Sequence, residues 1–153
     1  KNREDVMGNL MDPYVHSVFQ LSRFTANEAH YHVEFLRFRE LENGILYAEI
    51  GPKNNIVTWI MPHFADRFPG ENWVIYDDGR QEAAIHGAGE EWMTAKIPKE
   101  QADAFLEAYG ASDHYEDLWK TFFHSIGIRE RENPGCQRNF LPVWYRKHMT
   151  EFL

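Results

Sequence analysis

The sequence predicts an α+β domain, a small antiparallel sheet built from hairpins and packed with about five helices. Three observations carry this. Residues 35–41 and 45–50 are strand-like runs on either side of Asn43-Gly44, the strongest short-range hairpin signal. Residues 73–76 and Glu82–His86 form a second such pair around the turn residues Asp77-Asp78-Gly79-Arg80. Helical spacing and capping signals stand before, between and after these pairs.

The elements follow in order. Asp12-Pro13 starts a helix, with a capping side chain followed by Pro in the first turn. Val15, Val18, Phe19, Ser22 and Ala26 continue one face and predict a helix to about residue 30. Gly51-Pro52 ends the first hairpin, and Asn54 or Asn55 can cap a helix carrying Ile56, Ile60, Phe64 and Phe68. Pro62 should break or kink that helix, because it lacks a backbone donor and clashes one turn back. Residues 92–97 read as a fifth strand, and 100–109 as a helix closed by Gly110. Ser112 caps a further helix with Leu118, Trp119, Phe122, Phe123 and Ile126 inward, and Pro142 opens a last one to about Phe152.

The 153 residues fit a single domain, 1–153, expected to be the C-terminal part of a longer chain because it begins at Lys1 rather than Met, and the polar start shows no signal peptide. One Cys, Cys136, excludes an internal disulfide framework and a Cys-rich zinc site, and points to a reducing, cytoplasmic setting. No apolar run approaches the roughly 20 residues of a membrane span. The net charge of −8 disfavours non-specific wrapping of nucleic acid, yet phosphate binding needs only a local positive patch.

Such a patch exists in residues 128–148. Arg129, Arg131, Arg138, Arg146 and Lys147 face only Glu130 and Glu132, a net of +3 that leaves −11 for the rest of the chain. Phe140, Trp144 and Tyr145 interleave with these cations, and guanidinium planes beside aromatic faces suit a phosphate-bearing, base-stacking ligand. Arg131, Asn133, Gln137, Arg138 and Asn139 surround Pro134-Gly135 on an expected loop, offering fixed hydrogen bonds or capping helix ends.

Other constellations are less specific. Glu28, His30, His32 and Glu34 could present metal ligands from a helix or a strand, but the order lacks an HExxH-like pattern, so charge pairs along a helix are expected and no metal. His63 and Arg67 lie four apart on one helical face, suited to a phosphate or carboxylate, or simply to solvent. Arg37 and Arg39 share a strand face; if that face is covered, Arg37 must pair with a buried acid. If the chain is itself an enzyme, His30 and His63 are the acid/base candidates. No Walker A loop, GxGxxG, GxSxG or EF-hand occurs, and no cofactor is expected.

An ordered series runs through the chain: E-x-H from Glu28, F-L-R-F from Phe35, G-x-L-Y-A from Gly44, H-F-A-D-R-F-P from His63 and W-V-I-Y-D from Trp73. L-W-K-x-F-F from Leu118, R-E-N-P-x-x-Q from Arg131 and P-x-x-Y from Pro142 complete it. This series resembles a bacterial domain-of-unknown-function family labelled "probable DNA metabolism protein". The resemblance covers nearly the whole chain. It implies a companion, a DNA modification or repair radical-SAM protein, and fusion of similar domains to uracil-DNA-glycosylase-like domains. It supplies no catalytic residues, and the chain has neither a cysteine cluster nor a glycosylase motif.

The expected function is therefore a DNA-repair accessory domain that binds nucleic acid or a nucleotide for a partner enzyme. Arg131, Arg138, Arg146 and Lys147 would contact phosphates, Trp144 or Tyr145 would stack, and Asn133 and Gln137 would orient base or backbone. Arg37 and Arg67, with His30 and His63, would share a rim. The rival readings are a nucleotide-processing enzyme with a His/Arg pocket, and a protein-interaction module docking a basic partner.

Overall fold

The computed structural model describes residues 6, 8–110, 121–122, 125 and 134–152, with backbone only at 136 and 137. The α+β class holds. One five-stranded sheet runs in the order β1 (Arg39–Glu40), β2 (Leu46–Ile50), β3 (Trp73–Asp77), β4 (Glu82–His86) and β5 (Met93–Lys96). Strand alternation divides its side chains between two layers. Ala48, Ile50, Trp73 and Ile75 pack against α1 (Pro13–Phe35) and α2 (Val57–Arg67). Tyr47, Tyr76 and Ala83 pack on the other face, under Ala102 and Phe105 of α3 (Lys99–Tyr109). Two short helices, α4 (Pro134–Phe140) and α5 (Val143–Arg146), and a 3-10 turn at Thr150–Phe152 end the described chain.

The sheet is not built from hairpins alone. β2 and β3 run parallel, from Leu46↔Trp73 to Ile50↔Asp77, with α2 as the crossover, while the other pairings are antiparallel. The first hairpin forms, but its turn differs from the two-residue one expected. The Gly44 N–H donates to Leu41 O (2.8 Å), and the Leu41 N–H to Ile45 O (2.9 Å). Gly44 takes φ +76°, a left-handed position that closes a three-residue loop. β1 shrinks to two residues because the Phe38 ring turns inward onto Phe64, Phe68 and Trp73.

Asp12 caps α1, accepting hydrogen bonds from the N–H groups of Tyr14 and Val15. With no Gly or Pro to stop it, the helix continues past residue 30 to Phe35; Val18 and Phe19, expected inward, are exposed. Pro62 sits inside α2 without ending it, since Ile60, Met61 and Phe64 bury that helix completely enough to offset a lost bond. Neither Asn54 nor Asn55 caps α2, whose N-cap is Ile56. The expected loop at Pro134 is the start of α4, and the expected last helix divides into α5 and the 3-10 turn. The helix expected from Ser112 lies mostly outside the described residues; Phe122, placed inward by sequence, is half exposed. No described helix is long and apolar enough to cross a membrane.

Candidate functional site

The C-terminal segment folds back over the end of β2. The Trp144 Nε1–H donates to Gly51 O at 3.0 Å, and Lys53 Nζ lies 5.1 Å from the Trp144 ring centre. Tyr145 packs between Tyr31 and the edge of His32, each 5.2 Å away, and burial pushes its hydroxyl up to about 12. A Cβ on Gly51 would meet His148 Nε2 at 2.9 Å, so glycine permits this approach. Arg146 turns back to donate from Nε and Nη2 to Leu141 O, with its guanidinium over Phe152. Beyond it, buried Glu151 accepts from Arg37 Nε and Nη2, both at 3.2 Å. Arg37 therefore does what its sequence position demanded under cover, and it ties the segment down.

Beside this segment lies an open cleft of about 240 Å³ lined by Arg37, Arg39, Tyr47, Glu49, Lys147 and His148. A wider depression next to it is lined by Lys53, Asp78, Trp144 and, again, Lys147 and His148. The two adjoin, with Lys147 and His148 in the walls of both; Arg37 and Arg39 line the first and the Trp144 ring the second.

Its charges are arranged unequally. Asp78 accepts from Lys99 (2.8 Å) and Lys147 (3.2 Å), which holds its carboxyl below the usual range. Burial, and then the Asp78 charge, raises the Glu49 carboxyl. Burial, helped by Lys147, pushes the His148 imidazole down to about 4, so it is neutral at pH 7. Its Nδ1 lies 3.6 Å from Glu49 Oε1. Burial, then Glu49, raises the Tyr47 hydroxyl. Arg39 lies over the Tyr47 ring at 5.2 Å, and no carboxylate among the described residues is within ion-pair distance of it.

A family profile matches residues 1–151. The chain belongs to DUF4130, a domain-of-unknown-function family. No curated protein and no solved structure shows significant similarity to it.

Within this DUF4130 domain the expected site residues part company. Lys147 lines both clefts, Arg37 the first and Trp144 the second, whereas Tyr145 is taken up by Tyr31 and His32, and Arg146 by Leu141 and Phe152. His30 pairs with Glu34 on an exposed face of α1. His63 lies edge-on to Phe64, and Arg67 covers Phe68. Among the described residues no hydrogen bond, ion pair or ring contact joins these three to Arg37, and neither of the two clefts is lined by them. Arg138 is exposed on α4; Arg131, Asn133 and the Gln137 side chain lie outside the described residues.

The Glu/His series takes structural roles. Glu28 is buried and accepts from the backbone N–H groups of Lys53 and Asn54 and from Asn54 Nδ2. His32 Nδ1 bonds Glu28 O. Among the described residues no group of three or more metal-binding side chains converges. Sequence reasoning passed over Tyr47, Glu49, Asp78 and His148. A carboxylate two residues from Tyr47 on the same strand face, and a histidine ending the basic segment, were the available signals.

Proposed function

We propose that this DUF4130 domain is a nucleic-acid-binding accessory domain of DNA metabolism, holding a single strand or an exposed nucleotide for a partner enzyme. The observation that carries this is the pair of adjoining clefts: Arg39 and Lys147 supply cations in one, and Trp144, 54% exposed, supplies a stacking face in the other. Lys53 beside Trp144 extends the positive rim on an otherwise acidic chain. Chemistry is left to a partner of the kind the family resemblance names, a radical-SAM DNA-repair protein or a uracil-DNA-glycosylase-like domain.

A second reading, a nucleotide-processing enzyme, draws on Glu49 and His148, whose environments push one carboxyl up and one imidazole down within a single cleft. Binding is favoured over catalysis because His148 Nε2 is hidden from solvent and aimed at Gly51 rather than into the cleft.

A base stacked on Trp144 quenches its fluorescence. Titrating a single-stranded oligonucleotide at low salt should show that quenching, and Trp144→Ala should weaken binding by roughly 1–3 kcal/mol. Equal affinity in the folded variant, checked by circular dichroism, rejects the stacking role.

A further inference from the structure

We infer that the cleft between β1–β2 and the C-terminal segment receives a phosphate monoester, so that the groove recognises a phosphorylated nucleotide or strand end rather than the interior of a strand. The strand-end form rests on the nucleic-acid reading above; the mononucleotide form does not.

Size is the first argument. At about 240 Å³ the cleft is smaller than the roughly 300–1,000 Å³ of pockets for drug-sized ligands, so it suits one phosphorylated group. The C-terminal turn forms one wall of it through Lys147, His148 and Thr150, and Arg37 in the facing wall is tied to that turn by Glu151.

Charge is the second. Of the three Arg and Lys side chains lining the cleft, Arg37 and Lys147 already hold Glu151 and Asp78, and Arg39 has no carboxylate within ion-pair distance among the described residues. A guanidinium offers several donors in a planar fork that matches phosphate oxygens. A monoester brings close to two negative charges at neutral pH, where an internal diester brings one. The extra charge is what can compete with Asp78 for Lys147.

Unmet hydrogen bonds are the third. Four buried side-chain polar atoms among the described residues have no partner, and three belong to Tyr47, His148 and Glu151. Two of these residues line the cleft, and the third holds Arg37 in it. Folded proteins leave few such groups; His148 Nε2 is turned toward Gly51 and Glu151 Oε2 can only accept, so of the three the Tyr47 hydroxyl is the donor left for a phosphate oxygen.

Glu49 opposes the anion. It lines the same cleft and carries the one carboxylate there that has no lysine or arginine bonded to it. Its removal should therefore tighten phosphate binding, which loss of a merely structural group would not do.

The experiment compares full-chain binding of one short oligodeoxynucleotide bearing a 5′-phosphate, a 3′-phosphate or only hydroxyl ends, alongside a deoxynucleoside monophosphate and its nucleoside. A terminal phosphate should tighten binding roughly tenfold, about the weight of one charge-assisted hydrogen bond. Arg39→Ala should erase most of that difference, weakening phosphorylated strands more than hydroxyl-ended ones, and Glu49→Gln should enlarge it severalfold. Equal affinity for phosphorylated and hydroxyl-ended strands overturns the inference and leaves the nucleic-acid reading standing. Binding of the monophosphate but of no oligonucleotide supports the inference and sinks that reading. If nothing binds, both fall.

Discussion

Replacing Glu28 by alanine should lower the unfolding free energy by about 3–4 kcal/mol, the sum of one lost charge-assisted cluster and the backbone N–H groups left without an acceptor. Glu28 is on the last third of α1, yet its carboxylate closes the β2–α2 connection. Oε1 accepts from the Lys53 N–H at 2.8 Å, and Oε2 from Asn54 N (2.8 Å) and Nδ2 (2.7 Å). The same loop is gripped from its other side by Arg80, which donates to Pro52 O and Lys53 O while bonded to fully buried Asp77. Trp144 docks on this loop through Gly51 O, so its position depends on the anchor. Glu28→Gln keeps the shape and one acceptor oxygen and should cost about half as much. Urea unfolding measures both, and a Glu28→Ala variant within about 1 kcal/mol of the parent would contradict the anchor.

Stability should fall as pH drops from neutral toward about 4.5, and His148 should account for about 2 kcal/mol of the fall. The sign follows from proton binding. His148 is pushed down to about 4 in the folded chain from 6.5, so on acidification the unfolded state takes up its proton first. Its contribution is complete above pH 6.5 and is lost as pH falls toward 4. His32, lowered chiefly by burial, acts in the same direction. Glu49 acts oppositely: raised above 4.5, it protonates first in the folded chain and returns some stability just above that pH. Asp78, held below 3.8 by Lys99, weakens the fold only at still lower pH. Urea midpoints through this range, compared with those of His148→Gln, isolate the histidine. An identical pH slope in the variant would remove it from the account.

The parts of the fold that are local in sequence were the legible ones. Asp12 caps α1, Gly44 turns the first hairpin, and the runs at 73–77 and 82–86 pair as strands, each set by residues a few positions apart. The parallel β2–β3 pair was not legible, because Asn-Gly and Asp-Gly turns advertise hairpins while a crossover register is set by packing across α2. The Glu28–Glu34 spacing announced helix-face pairing, and His30–Glu34 is such a pair; that Glu28 reaches residues 53 and 54 depends on the tertiary fold. The site divides in the same way. Arg37, Trp144 and Lys147 stood out as types, but the groove assembles residues more than one hundred positions apart. Arg146 and Tyr145 looked equally suitable in sequence. Their neighbours Leu141, Phe152 and Tyr31 engage them first, a competition that charge and aromatic spacing cannot reveal.

The most direct test of the groove is the salt dependence of single-stranded oligonucleotide binding to the parent chain and to the Arg39→Ala, Lys147→Ala double variant. Each phosphate contact on a single strand contributes about 0.7 to the slope of log K against log salt, so losing both cations should flatten it by roughly 1.4. The parent should bind at low salt with a clear negative slope, and the variant, equally folded, should show the flatter one. An unchanged slope, or no binding by the parent at low salt, would contradict the proposal that this groove is where the domain meets nucleic acid.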